Sequence, residues 1–413
     1  MDILPVAGAF LTLAVTLVVA RFIRRGELPS TGSTPAYATL EGLRGWLAAF
    51  VFVCHAQAWY DATHHRGWGS ETRLFMHFGQ SSVALFFMIT AFLFVGRLVD
   101  ARDGDVDWLR LYVSRVLRLT PAYWIAMAAM FAVVAIVTWA GIDGAGSGVV
   151  LRQWSDIGSA VAIWLGFCML GEPTIDAYMN TPLIVAGVVW SMRFEWTFYC
   201  ALPLVALLFR TRTRLPMGAL ALGLASLVWM FLWRGQPDPV FATPFLGGVA
   251  AVFAVRSPAF VRFACTRAGA GVALACLGGL VTLCPSPYGI APLLLQTVAF
   301  ALVAGGSNLF GLLSSRGART LGALSYGIYL LHGIVLYVTF MVLIGMQRAQ
   351  ALSPLAHWGV VLAVVPVLLL LAQACHRWVE LPAMRAVGPC VRALRSIGRR
   401  RPADATRPLR DAG

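Results

Sequence analysis

Lysine is absent from this chain of 413 residues, so arginine supplies all 32 of its basic side chains. That bias matches the coding preference of a GC-rich bacterial genome. Charge of either sign is scarce: 12% of residues are charged against 59% hydrophobic, and the mean hydropathy is +0.77. So little charge excludes an ordinary soluble globule and implies a polytopic membrane protein. The formal charge of +14 does not point to nucleic acid, because the arginines gather at the ends of apolar runs, as they do in cytoplasmic loops. Eight cysteines are scattered, with no CxxC and no Cys/His spacing suited to a metal, and they read as small buried hydrophobes. The first apolar run lacks the basic n-region of a cleaved signal peptide. There is no internal repeat and no soluble second domain.

What is present is a series of apolar runs. The first, residues 3–22, is followed by Arg21, Arg24 and Arg25, the pattern of an uncleaved helix with its N-terminus outside. Further spans are predicted at 45–60, 80–98, 121–140, 183–209, 217–233, 239–255, 268–284, 286–306, 322–344 and 355–376. Segment 156–171 is weak. Were it to cross, the arginine-rich segments after it would all lie outside. Read as a re-entrant or interfacial helix, it leaves only Arg66, Arg73, Arg152, Arg234 and Arg348 facing out. The fold expected is therefore all-α, with about 11 transmembrane helices plus one re-entrant or interfacial helix, N-terminus outside and C-terminus cytoplasmic. Residues 1–36 form an extra leading helix and a basic loop, 37–385 the main transmembrane domain, and 386–413 a basic tail expected to be disordered.

Four segments carry polar residues where a membrane span should be apolar. In LEGLRGWLAAFVFVCHAQAWY, ten residues separate Arg44 from His55. Eleven helical steps turn roughly 1100° and rise roughly 16 Å, so both side chains share one face, with His55 near the bilayer midplane. A histidine at that depth suits proton transfer, although a buried structural role is the plainer alternative. Arg115 and Arg118 lie one turn apart at a span boundary, where two guanidinium groups can hold phosphate or merely anchor the helix. Tyr123 and Trp124 follow within the same segment. In VVWSMRFEWTFY, Arg193 and Glu195 sit inside an apolar span behind Trp190, as a polar cavity requires or as a packing pair would. Glu195 is placed to orient the His55 imidazole as a triad carboxylate does. Ser325, Tyr329 and His332 have helical spacing and share a face of the next-to-last span.

In order, these segments resemble the membrane acyltransferase-3 family. The resemblance rests on Arg44-X10-His55, FFMITAFL (Phe86 to Leu93), RVLRLTPAYW (Arg115 to Trp124), WSMRFEWTFY (Trp190 to Tyr199), SYGIYLLH (Ser325 to His332) and VELP (Val379 to Pro382). The chain departs from the family where Thr90-Ala91 replace Ser-Gly, Ala84 replaces an acidic residue, and Trp196 stands at the usual second acid. The family has ten spans with both ends cytoplasmic, and a leading helix makes eleven.

The resemblance implies an O-acyltransferase of the bacterial inner membrane. It would carry an acyl group, usually acetyl from acetyl-CoA, to a hydroxyl of a surface or exported glycan. On that reading His55, Glu195 and Arg44 are catalytic, and Arg115, Arg118 and Tyr123 bind the coenzyme. Arg193, Trp190, Ser325, Tyr329 and His332 support the site, with Arg193 a candidate oxyanion donor. The partners are acyl-CoA, a carbohydrate or small-molecule hydroxyl acceptor and the lipid bilayer. No metal, no nucleic acid and no oligomer is required. One alternative keeps the chemistry and takes a small molecule such as a macrolide as acceptor. Another is a transporter or flippase using His55, Arg193, Glu195 and His332 as a polar path.

Overall fold

A computed structural model describes residues 3–23, 35–69, 72–101, 106–142, 154–175, 181–208, 217–232 and 238–400. Among these the chain is mostly helical, its helices joined by turns and short loops, without a β-strand. The main helices are α1 (Ile3–Phe22), α2 (Pro35–Thr63), α3 (Ser82–Asp100), α4 (Trp108–Ala140), α5 (Trp154–Leu165), α6 (Trp190–Leu208), α7 (Met217–Leu232), α8 (Pro244–Ala254), α9 (Pro258–Ala264), α10 (Arg267–Leu283), α11 (Ile290–Ala304), α12 (Arg316–Tyr337), α13 (Pro354–Cys375) and α14 (Val387–Arg400).

Five stretches are long and apolar enough to cross a bilayer: Ile3–Phe22, Arg73–Asp100, Trp108–Ala140, Arg316–Ile344 and Pro354–Ile397. A sixth would be the pair Pro239–Ala254 and Pro258–Ala264, bent by 109°. The chain is thus a multi-pass helical membrane protein, but the expected count of eleven spans is not confirmed. Two physical reasons lower the number. α10 and α11, with 17 and 15 residues, fall short of the ~20 that a straight crossing needs. α2 and α6 carry the charged residues that interrupt an apolar window. α5 is a 12-residue helix ending in turns at residues 166–170, too short to cross.

Two further differences from the sequence-based expectation matter. The span expected at 183–209 is broken: a short turn of helix, Thr181–Ile184, ends before α6 begins at Trp190. Ala186 and Gly187 between them adopt left-handed φ angles of 53° and 64°. The tail expected to be structureless forms α14 over Val387–Arg400, which packs on α4 and pairs Arg395 with Asp107 at 2.7 Å. Residues 401–413 lie outside the described residues.

The core is organised around α2 and α12, the most extensive helix contact among the described residues. Their backbones nearly touch. A Cβ added to Gly322 would lie 2.0 Å from the Glu41 carbonyl oxygen, and one added to Gly45 would lie 2.2 Å from that of Ala318. Small residues at such crossings let transmembrane helices approach closely enough for dispersion forces and polar contacts to hold them. This register brings the Arg44–His55 face of α2 against the Ser325–His332 face of α12. α3, α4 and α6 then close the space on the other side.

Candidate functional site

Four helices and α3 enclose one polar cavity. Arg44 enters it from α2, Arg115 and Arg118 from α4, Glu195 and Tyr199 from α6, and Ser325, Tyr326 and Tyr329 from α12. Phe86, Thr90, Leu93 and Phe94 of α3 supply a mainly apolar wall. The three guanidinium groups lie close enough for their charges to interact with one another and, from Arg44, with Glu195. The Arg115 guanidinium lies over the Phe94 ring, 5.0 Å from its centroid. Two polar atoms in this region, Ser325 Oγ and Arg115 Nε, are buried without a hydrogen-bond partner among the described residues. Buried polar atoms are costly unless something completes them, so the cavity is built for a polar ligand.

At the far end of the cavity stands Tyr329. Its hydroxyl lies 2.7 Å from Ser191 Oγ, and both hydroxyls reach the Val188 carbonyl at 3.0 Å. The helix break explains this arrangement. Between the left-handed Ala186–Gly187 pair and Trp190 the chain runs in turns, and the Val188 carbonyl accepts the Ser191 N–H at 3.4 Å together with both hydroxyls. Irregular backbone at membrane depth is tolerated where it lines a cavity.

One turn beyond Tyr329 lies His332, fully buried, its ring 6.1 Å from that of Tyr329. His332 Nε2 is 3.1 Å from His55 Nδ1, and the two ring centroids are 5.0 Å apart. His55 itself is half-buried and lies 6.3 Å, ring to ring, from Trp68, which is partly exposed in the loop after α2. A file of side chains therefore runs from the arginine cluster through Ser325, Tyr329 and His332 to His55, with Trp68 on its far side.

The structure brings together Arg44, Arg115, Arg118, Glu195, Ser325 and Tyr329 in the cavity, and His332 with His55 beyond it. Four expected placements differ. Glu195 does not meet His55; its carboxylate accepts a hydrogen bond from the Tyr199 hydroxyl one turn along α6 and faces the arginines. The three positive charges supply the attraction, and the break before Trp190 sets the depth at which α6 presents it. Arg193, two residues earlier and so ~200° round the helix, turns to the opposite flank. It is 7% exposed and pairs with Glu172 at 2.7 Å. Tyr123 does not share the Arg115–Arg118 face: fully buried, it donates to the Trp164 carbonyl at 2.6 Å and stacks on Phe167. Trp190 packs among Phe87, Phe194 and Phe241 and does not line the cavity.

Sequence reasoning did not pick out Glu172, Tyr199, Tyr326 or Ser191. Tyr199 could have been found, because its i+4 spacing from Glu195 is visible in WSMRFEWTFY. Glu172 could not, since only the tertiary fold brings it to Arg193. Among the described residues no group of three or more His, Cys, Asp or Glu side chains is arranged to hold a metal ion.

Comparison with known proteins adds three findings. A family model described as an acyltransferase domain matches residues 37–376. Nodulation protein 10 of Rhizobium leguminosarum bv. viciae is 28% identical over 187 residues, 45% of this chain and 48% of the relative, so the match spans about half of that protein's length. No solved structure matches.

Proposed function

This chain belongs to the acyltransferase-3 family, and from that premise we propose that it transfers an acetyl group from acetyl-CoA to a hydroxyl of a surface or exported glycan. The donor class, the acyl group and the acceptor are the parts proposed; that the chain is a membrane acyltransferase follows from its family. The observation that carries the proposal is the convergence of Arg44, Arg115 and Arg118 on one end of a cavity whose other end abuts the His332–His55 pair.

The roles follow from chemistry. Coenzyme A carries phosphates, and guanidinium groups hold phosphate through charge-assisted, often bidentate hydrogen bonds. Arg115 and Arg118, one turn apart, grip the phosphates, and Arg44 adds a third charge from α2. Glu195 offsets part of the mutual repulsion of these arginines when no ligand is bound. The apolar α3 wall and Tyr329 line a path for the pantetheine arm towards the histidines. Positive charge at the cavity mouth belongs on the cytoplasmic side, where acyl-CoA is made and where the surrounding arginines favour placement.

His55 then serves as general base. It takes the proton of the acceptor hydroxyl as that oxygen bonds to the thioester carbonyl carbon. The C–S bond breaks, and the departing thiolate recovers the proton from His55. Attack by His55 itself, giving an acyl-imidazole that the acceptor hydroxyl later opens, uses the same residue and the same donor site.

Binding of radiolabelled acetyl-CoA to purified, detergent-solubilised protein tests the donor site. Wild type is expected to bind, and Arg115→Ala to bind roughly ten- to a hundredfold more weakly, as loss of one or two charge-assisted hydrogen bonds implies. Absence of binding by wild type would remove the acyl-CoA assignment.

A further inference from the structure

The hydrogen bonds around the two histidines determine where their protons lie. A carbonyl oxygen only accepts. His332 Nδ1 lies 3.0 Å from the Ile328 carbonyl, so it must carry a proton. His55 Nδ1 lies 2.9 Å from the Val51 carbonyl, so it carries one as well. In the neutral imidazole of His332 the other nitrogen, Nε2, is therefore an acceptor, and it faces His55 Nδ1 at 3.1 Å. The His55 N–H is thus shared between two acceptors, the Val51 carbonyl and His332 Nε2. Its own Nε2 is left with a free lone pair.

We propose that His332 is a positioning residue that holds His55 in the Nδ1–H tautomer and presents His55 Nε2 as the atom that takes the acceptor's proton. This rests on the acyl-transfer reading above and deepens it. The role is the one a triad carboxylate fills for its histidine, and here Glu195 does not fill it. A neutral imidazole orients without pulling the base into its charged form. When Nε2 takes the hydroxyl proton, His55 becomes an imidazolium, and its Nδ1–H donates more strongly to the acceptors already in place. No other proton has to move. His332 passes none onward, because its own Nδ1–H ends on the Ile328 carbonyl. Ring orientation is set from both sides: His332 is fully buried on α12, and the close α2–α12 crossing fixes its distance from His55. On return, Nε2–H delivers its proton to the coenzyme thiolate, and hydroxyl plus thioester have become ester plus thiol.

Two measurements on the full chain test this. The first is the 15N spectrum of histidine-labelled wild type without substrates, with the His55 signals assigned by their loss in His55→Ala. A protonated Nδ1 and an unprotonated Nε2 on His55 are expected; a protonated Nε2 would overturn the proposal. The second compares His332→Leu with His332→Gln in acyl transfer. Leu removes the acceptor on α12 and leaves only the Val51 carbonyl on α2 itself, and kcat is expected to fall on the order of a hundredfold with KM for acyl-CoA nearly unchanged. Gln offers an amide oxygen to the His55 N–H and is expected to recover most of that loss. Equal losses in both variants, or a loss confined to KM, would mean that His332 only packs. If the variants do not fold, the His332 signals of the wild-type spectrum decide: an unprotonated Nε2 that accepts from the His55 N–H is expected, and a protonated His332 Nε2 would overturn the proposal. A spectrum with the expected tautomer in a protein that transfers no acyl group would sink the acyl-transfer reading and leave the histidine pair standing.

Discussion

At the scale of single residues, the site separates two kinds of buried charge. Arg115 and Arg118 line the cavity, whereas Arg193 lies outside it and is ion-paired with Glu172. Their substitutions should therefore fail in different ways. Arg118→Ala is expected to raise KM for acyl-CoA by roughly ten- to a hundredfold while the purified protein melts near the wild-type temperature. Arg193→Met leaves the Glu172 carboxylate without its salt-bridge partner, a loss of about 3–5 kcal/mol, and should appear as low yield and an early thermal transition. Replacing Glu172 by Gln in the same chain should recover part of it, because the stranded charge is then gone. The sequence made Arg44, His55, Arg115 and Arg118 legible, since a polar residue inside an apolar run is costly and stands out. It misassigned Glu195 because spacing along one helix cannot say which neighbouring helix a side chain meets. It grouped Arg193 with Glu195 although two helical steps place them on opposite flanks.

At the scale of elements, the α2–α12 crossing positions the chemistry, and a backbone approach with no room for a side chain makes it possible. Gly322→Val would drive a branched side chain into the Glu41 carbonyl and force the two helices apart. Overpacking of this kind costs about 1–3 kcal/mol or more. Thermal stability should fall, and transfer should fall further than stability, because His332 and His55 ride on separate helices. Equal activity per folded molecule in Gly322→Val and wild type would show that the crossing does not set the site. The break before α6 is the second positioning device. The sequence reads residues 183–209 as one hydrophobic run, and hydropathy carries no sign of left-handed backbone at Ala186. Only the Tyr329 and Ser191 hydroxyls gathered on the Val188 carbonyl make that break intelligible. The amphipathic tail is similar: its arginines are plain in the sequence, whereas its helicity comes from packing on α4.

At the scale of the whole molecule, transfer from a cytoplasmic donor requires the arginine end of the cavity to face the cytoplasm and the Trp68 loop to face outward. A reporter fused after Gly413 that works only in the cytoplasm should be active, and the same reporter inserted at Gly67 should be silent. The opposite pattern would place the donor site on the side where acyl-CoA is absent. Composition pointed to a membrane protein, at 59% hydrophobic and 12% charged, and the long apolar runs made it a helical one. The number of crossings was less legible, since short and polar helices carry the functional groups. The most direct test of the central claim is acyl transfer by purified protein from labelled acetyl-CoA to a hydroxyl acceptor, with acetyl-CoA binding followed in parallel, in wild type and His55→Ala. His55→Ala is expected to bind acetyl-CoA as wild type does and to transfer nothing above background. Transfer by His55→Ala at a rate near that of wild type would contradict the base role of His55.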